Sequence, residues 1–574
     1  MKRSVLIVLV TLFTVSALFA GGGGQTAPAA QTGKPTITIG SAWLYNTDWP
    51  TWDVYQDLAD RVGVKLDYTF YDKDRLALVL ASNNLPDIVI GNPTVLSSVV
   101  NNKLAMKLDP ILDQYIPNAK LPMYKTRNDL LRLFAGGSDN GLYIISPGIG
   151  PENGGGTDSS PRGYSVRWDY YKEIGAPPIR NDDDFVAVLK AMIDRHPTTA
   201  DGRKTYAIAN ENTWARFHTQ GMVTARLNPW TLLNSEYMGG FDDDEVYNGY
   251  TNLNRSAFWN QMKLYNKLNR LGIFDQDSFT MTADDLNAKT DAGVYMSSVL
   301  RNDRMYNEMR KKDPNTLAGH MLVPSEGAVV FANKPLLMGN APDQYVFISA
   351  NSKNWEKAAQ VLNILHDPDF IREQHSGFKG KYWDYDAAGK PYITDLGFSD
   401  YNGNTPAYVQ SGVSFYSSLM MADYTATHPD GSFFGLFRGK EYQTKNQLSP
   451  LYQDYANFYK VARPADITMD YVRQGKTIDM RNDYVQVIAV GLANVPSDIE
   501  RIINSLNDLC YRATPRLIEA KTDAEFTQIQ QRLLADLKAA GEPTAWEWVR
   551  TNYNKYKAQV DPIFREYNSR QKYE

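Results

Sequence analysis

Residues 36–91 read TITIGSAWLYNTDWPTWDVYQDLADRVGVKLDYTFYDKDRLALVLASNNLPDIVIG, and this stretch decides the fold class. Ile37 and Ile39 alternate with small or polar residues, as in a strand with one covered face. After a loop at 43–52, Val54, Leu58 and Val62 recur at helical spacing, and Gly63 supplies a residue that can end the helix. Val64, Leu66, Tyr68 and Phe70 then alternate strictly, which marks a second strand. Leu76, Val79 and Leu80 mark a second helix, and Leu85-Pro86-Asp87-Ile88-Val89-Ile90 is a short apolar strand of the kind buried inside a parallel sheet. Strand, helix, strand, helix, strand in this order is a doubly wound α/β unit. Ligands of such sheets bind outside the carboxyl ends of the strands. That rule makes Trp43, Asn46, Asp48, Trp49 and Asn92 the first binding candidates, although Trp49, beside Pro50 at a helix start, reads equally well as a packing staple.

Upstream, Lys2 and Arg3, an apolar run at 5–19 and Ala20 before four glycines have the charge, core and small-residue order of a secretory signal. Residues 1–20 are read as that signal and 21–35 as a flexible leader. The apolar run is shorter than the roughly 20 residues that span a bilayer, so a retained anchor is the weaker reading. The single cysteine, Cys510, is far from the cleavage point, so neither a lipid anchor nor an internal disulfide is expected. An exported protein without an anchor stays with its cell only behind an outer membrane, so a periplasmic location is expected. A formal charge of −5 without any Lys/Arg block argues against a nucleic-acid partner. The 11 Trp, 36 Tyr and 22 Phe supply flat apolar faces with polar handles, which suit the C–H face of a pyranose, though most such rings serve packing.

Downstream, the Gly-rich segment 136–163 contains a predicted strand at 142–145 that would cross to a second α/β unit. There Asn181 to Asp184 cap a helix whose Phe185, Val188, Leu189, Met192 and Ile193 fall on one face; a metal cluster is the sharper and weaker reading of the aspartates. The acidic run at 242–245 lacks the ligand spacing of a calcium loop and reads as a turn. A strand at 345–348 and an amphipathic helix carrying Trp355, Ala358, Ala359, Leu362 and Leu365, ended by Asp367-Pro368, return the chain to the first unit. The last quarter is helical, with predicted capping boxes at Ser497-x-x-Glu500 and Thr522-x-x-Glu525, and Cys510 reads as an inert buried thiol.

Further binding candidates follow strands or sit in Pro/Gly-rich loops. Arg167 and Trp168 are two of them, with Asp169 leaning to an ion-pair role; Ser297, Ser298 and Arg301 follow an apolar strand; Trp230, Trp383 and Tyr385 lie in loops where a large ring is harder to explain as core. The six histidines show no H-E-x-x-H pattern, and neither a G-x-S-x-G elbow nor a phosphate-binding loop is present. A carboxylate pair for glycoside hydrolysis stays open, because its two acids can be far apart in sequence.

The order Leu85-Pro86-Asp87-Ile88, Leu108-Asp109-Pro110 with Leu112, Arg167-Trp168-Asp169-Tyr170-Tyr171-x-x-x-Gly175, then 348–365, resembles extracellular solute-binding protein family 1, the substrate-binding subunits of ABC carbohydrate importers. The length and the helical end with Trp546-Glu547-Trp548 are similar to the long oligosaccharide-binding branch, and the likeness covers nearly all of the chain after residue 36. The resemblance implies a two-lobed periplasmic-binding-protein type II fold with a hinge and a helical C-terminal part. The first lobe would be 36–145 plus 345–395 and the second, larger lobe 146–344 plus 396–574. It implies a monomer that takes a carbohydrate between the lobes and delivers it to ABC permease subunits, without catalysis or a cofactor. Some members of the long branch hold calcium in an Asp/Asn-rich loop; the matching stretch here, RHPTTADGRKTY at 195–206, offers only Asp201, so no metal is expected. A secreted glycoside hydrolase or lyase, and a peptide or other non-sugar solute binder on the same scaffold, are the alternatives.

Overall fold

The computed structural model describes residues 33–41, 47–91, 96–146, 148, 164–208, 239–242, 245–254, 256–298, 304–326, 329–330, 345–403, 405–413, 426–439, 449–476, 478–479, 488, 491–492 and 495–570. Residues 1–32, with the expected signal and most of the leader, lie outside that range. Among the described residues no helix is long and apolar enough to cross a membrane.

The opening stretch folds as its periodicity predicts. β1 (Thr36–Ser41) lies between β2 (Lys65–Phe70) and β3 (Ile88–Gly91), parallel to both. The helix Asp53–Val62 buries Val54, Leu58 and Val62 and stops at Gly63, whose φ of 73° lies in the left-handed region that glycine adopts most cheaply. All four residues of β3 are buried, which explains their unbroken apolar character. The returning strand Tyr345–Ile348 pairs antiparallel with β3, giving the order returning strand, β3, β1, β2. The helix Trp355–Leu365 turns its apolar face to the same core. Tyr553, Val560, Phe564 and Tyr567, from the last turns of the helix Glu542–Arg570, also join it.

A second core gathers around the helix Asp182–Arg195, with Phe185, Leu189 and Met192 wholly buried. Its strands are β4 (Tyr164–Arg167), β5 (Tyr206–Ile208), β8 (Tyr295–Ser297) and β9 (His320–Val323), while the hairpin of β6 (Gly239–Asp242) and β7 (Glu245–Asn248) sets Val246 against the first core. β5 and β8 are parallel, and β4 and β9 are antiparallel. Arg167, at the end of β4, donates to the Gly293 carbonyl at 3.2 Å, and the His320 ring meets the Tyr295 carbonyl at 3.0 Å. β4 therefore runs against β5 and β8, while β9 runs with them.

The C-terminal helices Ser497–Glu519, Asp523–Ala539 and Glu542–Arg570 cover this core. Buried Asn266 donates its amide to the carbonyls of Leu517, Ile518 and Ala520 at 2.7–3.1 Å, satisfying groups that the end of the first of these helices leaves open. Two local expectations need correction. Ser497 makes no cap, because it is already the first helical residue behind Pro496. Thr522 accepts from the Glu525 amide at 3.1 Å, but the Glu525 carboxylate reaches back to the amide of Lys521, so only half of that box forms. The expected strand at 142–145 is reduced to a single bridge between Ile145 and Val346.

Candidate functional site

Strand directions define two rims. On the first sheet, Ser41 pairs with Ile90, Gly91 ends β3, and Tyr345 lies opposite Gly91. Ile145 exchanges both backbone bonds with Val346, at 2.9 and 3.0 Å, so it runs in the direction of β3 on the far side of the returning strand and delivers Ser146 to the same carboxyl edge. On the second sheet, Ile208 pairs with Ser297 at the carboxyl ends of β5 and β8, where β4 begins at Tyr164 and β9 ends at Val323. The chain thus leaves the first rim at Ser146 and enters the second at Tyr164.

The predicted binding residues divide sharply against this frame. Trp43, Asn46, Asn92, Trp230 and Arg301 lie outside the described residues. Asp48 is exposed; its carbonyl accepts from the amide and the hydroxyl of Thr51 at 2.8 and 2.7 Å, fixing a short 3-10 turn. Ser297 and Ser298 are buried at the second rim, and the Ser297 hydroxyl has no hydrogen-bond partner among the described residues.

Three indoles proposed for stacking are core residues. Trp49 is 0 % exposed, edge-on to Tyr55 and Tyr68 at 4.7 and 5.0 Å, which is the staple role. Trp168 is equally buried against Tyr455 at 4.9 Å and donates to Asp454 at 2.7 Å. Trp383, expected in a loop, lies in the short strand Trp383–Tyr385, 2 % exposed, donating to the Gly377 carbonyl at 2.6 Å beneath the Arg372 guanidinium at 5.1 Å. None of the three offers a face to a ligand.

Arg167 and Trp168 also stand at the end of this lobe away from the carboxyl ends of β5 and β8. The sequence expectation took β4 to run toward the ligand rim, but it runs away from it. Arg167 is committed to a two-pronged pair with Asp169, from Nε at 3.0 Å and Nη2 at 3.0 Å, and lies 3.6 Å above the Tyr170 ring, which stacks on His196 at 3.5 Å. This is a structural sandwich at the far edge.

Tyr385 is held in a polar network instead of a free loop. It accepts from Arg372 at 3.1 Å and donates to Asp430 at 2.9 Å. Against burial, which alone would raise it, bonds from Arg372 and Ser432 hold the Asp430 carboxyl far below the usual carboxylate range. Arg372 is wholly buried and so fastens the helix Pro368–Ser376 to the turn at 428–432.

The acidic runs diverge toward separate partners. Asp182 accepts from Tyr164 at 2.8 Å, Asp183 pairs with Lys267, and Asp184 pairs with Arg180 at 2.8 Å. Asp201, in the stretch compared with a calcium loop, accepts from the Thr199 hydroxyl and pairs with Arg203 at 3.0 Å. Among the described residues no group of three or more His, Cys, Asp or Glu side chains could hold a metal ion.

The sequence reading passed over Arg127. It sits in the helix Lys125–Ala135 on the buried stripe with Leu130 and Leu131, 1 % exposed. Its Nη2 donates to the Ser146 hydroxyl at 2.8 Å, and Nε and Nη1 have no hydrogen-bond partner among the described residues. Burial pushes its pKa down to about 10, so it stays charged at neutral pH. A charged residue at the first position of a 127, 130, 131 apolar pattern was the available signal.

No family model matches the sequence, and no curated protein matches it. Solved structures do match in fold. The alginate-binding protein AlgQ2, without calcium ion, is 15 % identical, with 91 % of this chain and 99 % of that one covered and a TM-score of 0.58. A solute-binding protein from Bifidobacterium longum infantis, associated with an ABC transporter and binding HMO, is 14 % identical, with 91 % and 99 % covered and a TM-score of 0.60. The ABC-transporter substrate-binding protein FusA of S. pneumoniae, in complex with kestose, is 17 % identical, with 92 % and 100 % covered and a TM-score of 0.58. The chain therefore has, over nine-tenths of its length, the two-lobed α/β fold of ABC-transporter solute-binding proteins, the fold that its sequence resemblance implies.

Proposed function

We propose that this protein is the substrate-binding component of an ABC importer, which captures a carbohydrate, an oligosaccharide, between its two sheet rims and delivers it to a membrane permease. The observation that carries the reading is the end-to-end match in fold to proteins that bind alginate, HMO and kestose, each covered almost completely. The presence of two cores, one behind each sheet rim, supports this reading. Packed cores move as rigid bodies, so a few connecting residues absorb the rotation when the rims close on a ligand. Residues 36–145 plus 345–395 would form the first lobe and 146–344 plus 396–574 the second, except that Tyr553, Val560, Phe564 and Tyr567 of the last helix pack into the first core. Trp43, Asn46, Asp48, Asn92, Trp230, Ser297, Ser298 and Arg301 remain the proposed contacts. The protein would perform no chemistry, would be exported by residues 1–20 to a periplasm without a lipid anchor, and would act as a monomer.

A ligand that binds only the folded chain stabilises it by about 2.7 kcal/mol at a hundred times its dissociation constant. A panel of neutral and charged oligosaccharides should therefore contain at least one that raises the melting temperature, with the sugar recovered intact. Release of cleaved products would select a hydrolase or lyase. A shift with peptides and with no sugar would select a peptide binder.

A further inference from the structure

We infer that Arg127 makes this site selective for a carbohydrate carrying a carboxylate or sulfate group, with that anion meeting the guanidinium at the rim of the first lobe. The inference deepens the reading above and rests on it. Arg127 is aimed at the rim: its partner Ser146 is the residue at which the chain leaves the first sheet, next to the Ile145–Val346 bridge and level with the Gly91–Tyr345 pair that ends β3.

The chemistry of the group goes beyond what its one bond requires. A hydrogen bond to a serine hydroxyl needs no charge, and a neutral amide in this place would make it without burying a cation. Arg127 is 1 % exposed, yet no carboxylate among the described residues pairs with it, unlike buried Arg372 and Arg463, which face Asp430 and Asp466. Nη2 carries two protons and Ser146 takes one, so one complete two-pronged edge of the buried guanidinium stays unpaired among the described residues whichever proton is used. Carboxylate and sulfate groups present two oxygens that match such an edge, whereas a sugar hydroxyl meets only one prong. The whole chain carries a formal charge of −5, so its net field does not draw anions in, and the guanidinium acts within roughly one Debye length, about 8 Å at physiological salt.

The test titrates the full chain with matched pairs: oligogalacturonates against their methyl esters, and sulfated oligosaccharides against their desulfated forms. In at least one pair the charged member should bind about ten-fold or more tightly, with an affinity that falls as salt is raised. Arg127→Gln should lower the charged-to-neutral ratio by a similar factor, and Arg127→Lys should retain part of it. The uronate and sulfate pairs tell the two anions apart. Binding of neutral sugars with no charged member preferred, or a ratio unmoved in Arg127→Gln, would overturn the inference and leave the carbohydrate reading standing. If no sugar of either kind binds, that reading falls and takes the inference with it. Should Arg127→Gln fail to fold, the wild-type ratio and its salt dependence decide.

Discussion

Replacing Trp383 separates a core role from a binding role in one experiment. The indole is 2 % exposed, its Nε1 donates to the Gly377 carbonyl at 2.6 Å, and the Arg372 guanidinium sits 5.1 Å from the ring. A buried aromatic of this size removes about 150–250 Å² from water, which at roughly 25 cal/mol per Å² is worth about 4–6 kcal/mol. Partial relaxation around the gap brings the expected loss for Trp383→Ala to about 3–5 kcal/mol. Trp383→Phe keeps most of the apolar surface but gives up the hydrogen bond and part of the cation–π contact, so about 1–3 kcal/mol is expected. Urea unfolding followed by circular dichroism reads both losses as shifts of the transition midpoint, and a titration with any sugar that stabilises the wild type reads the site. Trp383→Phe should move the midpoint and leave the dissociation constant unchanged. A variant of wild-type stability with weakened sugar binding would refute the placement of this ring in the core.

The remaining predictions concern the site, acid stability and the thiol. At least one of Trp43→Ala and Trp230→Ala should weaken sugar binding by about 1 kcal/mol or more, as loss of an aromatic anchor does; a fluorescence titration in which both bind like wild type removes these rings from the site. His320 and His366 are fully buried, and burial pushes each down to about 4 from its usual 6.5. The unfolded chain therefore binds more protons than the folded one below pH 6.5. Their contribution to stability is complete above that pH and is lost as pH falls toward 4, by about 1.4 kcal/mol per pH unit for each histidine. Unfolding curves that do not change between pH 6.5 and 4.5 would contradict this. Burial raises the Cys510 thiol well above its ordinary range, so a maleimide should label it only in denaturant; rapid labelling of the native chain would show that the thiol is accessible.

Much of the first lobe was legible because its residues obey a single period at a time. Ile37 with Ile39, Val54 with Leu58 and Val62, and the unbroken Ile88-Val89-Ile90 each announce one element, Gly63 marks a helix end through its left-handed backbone, and Asn181 marks a helix start through its side-chain cap. Strand direction was not legible. Nothing in Tyr164–Arg167 says that this strand runs against β8, so Arg167 and Trp168 were assigned to the ligand rim when they stand at its opposite edge. Trp383 misled for a related reason. Trp49 takes the staple role that its sequence allows, edge-on to Tyr55 and Tyr68, whereas Trp383, in a stretch that reads as a loop, is covered by Arg372 from a helix that its local sequence does not reveal. Arg127 was missed because a charge inside an apolar stripe is easily read as a surface residue, and only its contact with Ser146 locates it at the rim.

The most direct test of two lobes closing on a carbohydrate is small-angle X-ray scattering of the full chain, with and without the oligosaccharide that most raises its melting temperature. A fall in the radius of gyration on saturation is the expected result. An unchanged scattering profile at full occupancy would contradict closure of the lobes around the sugar.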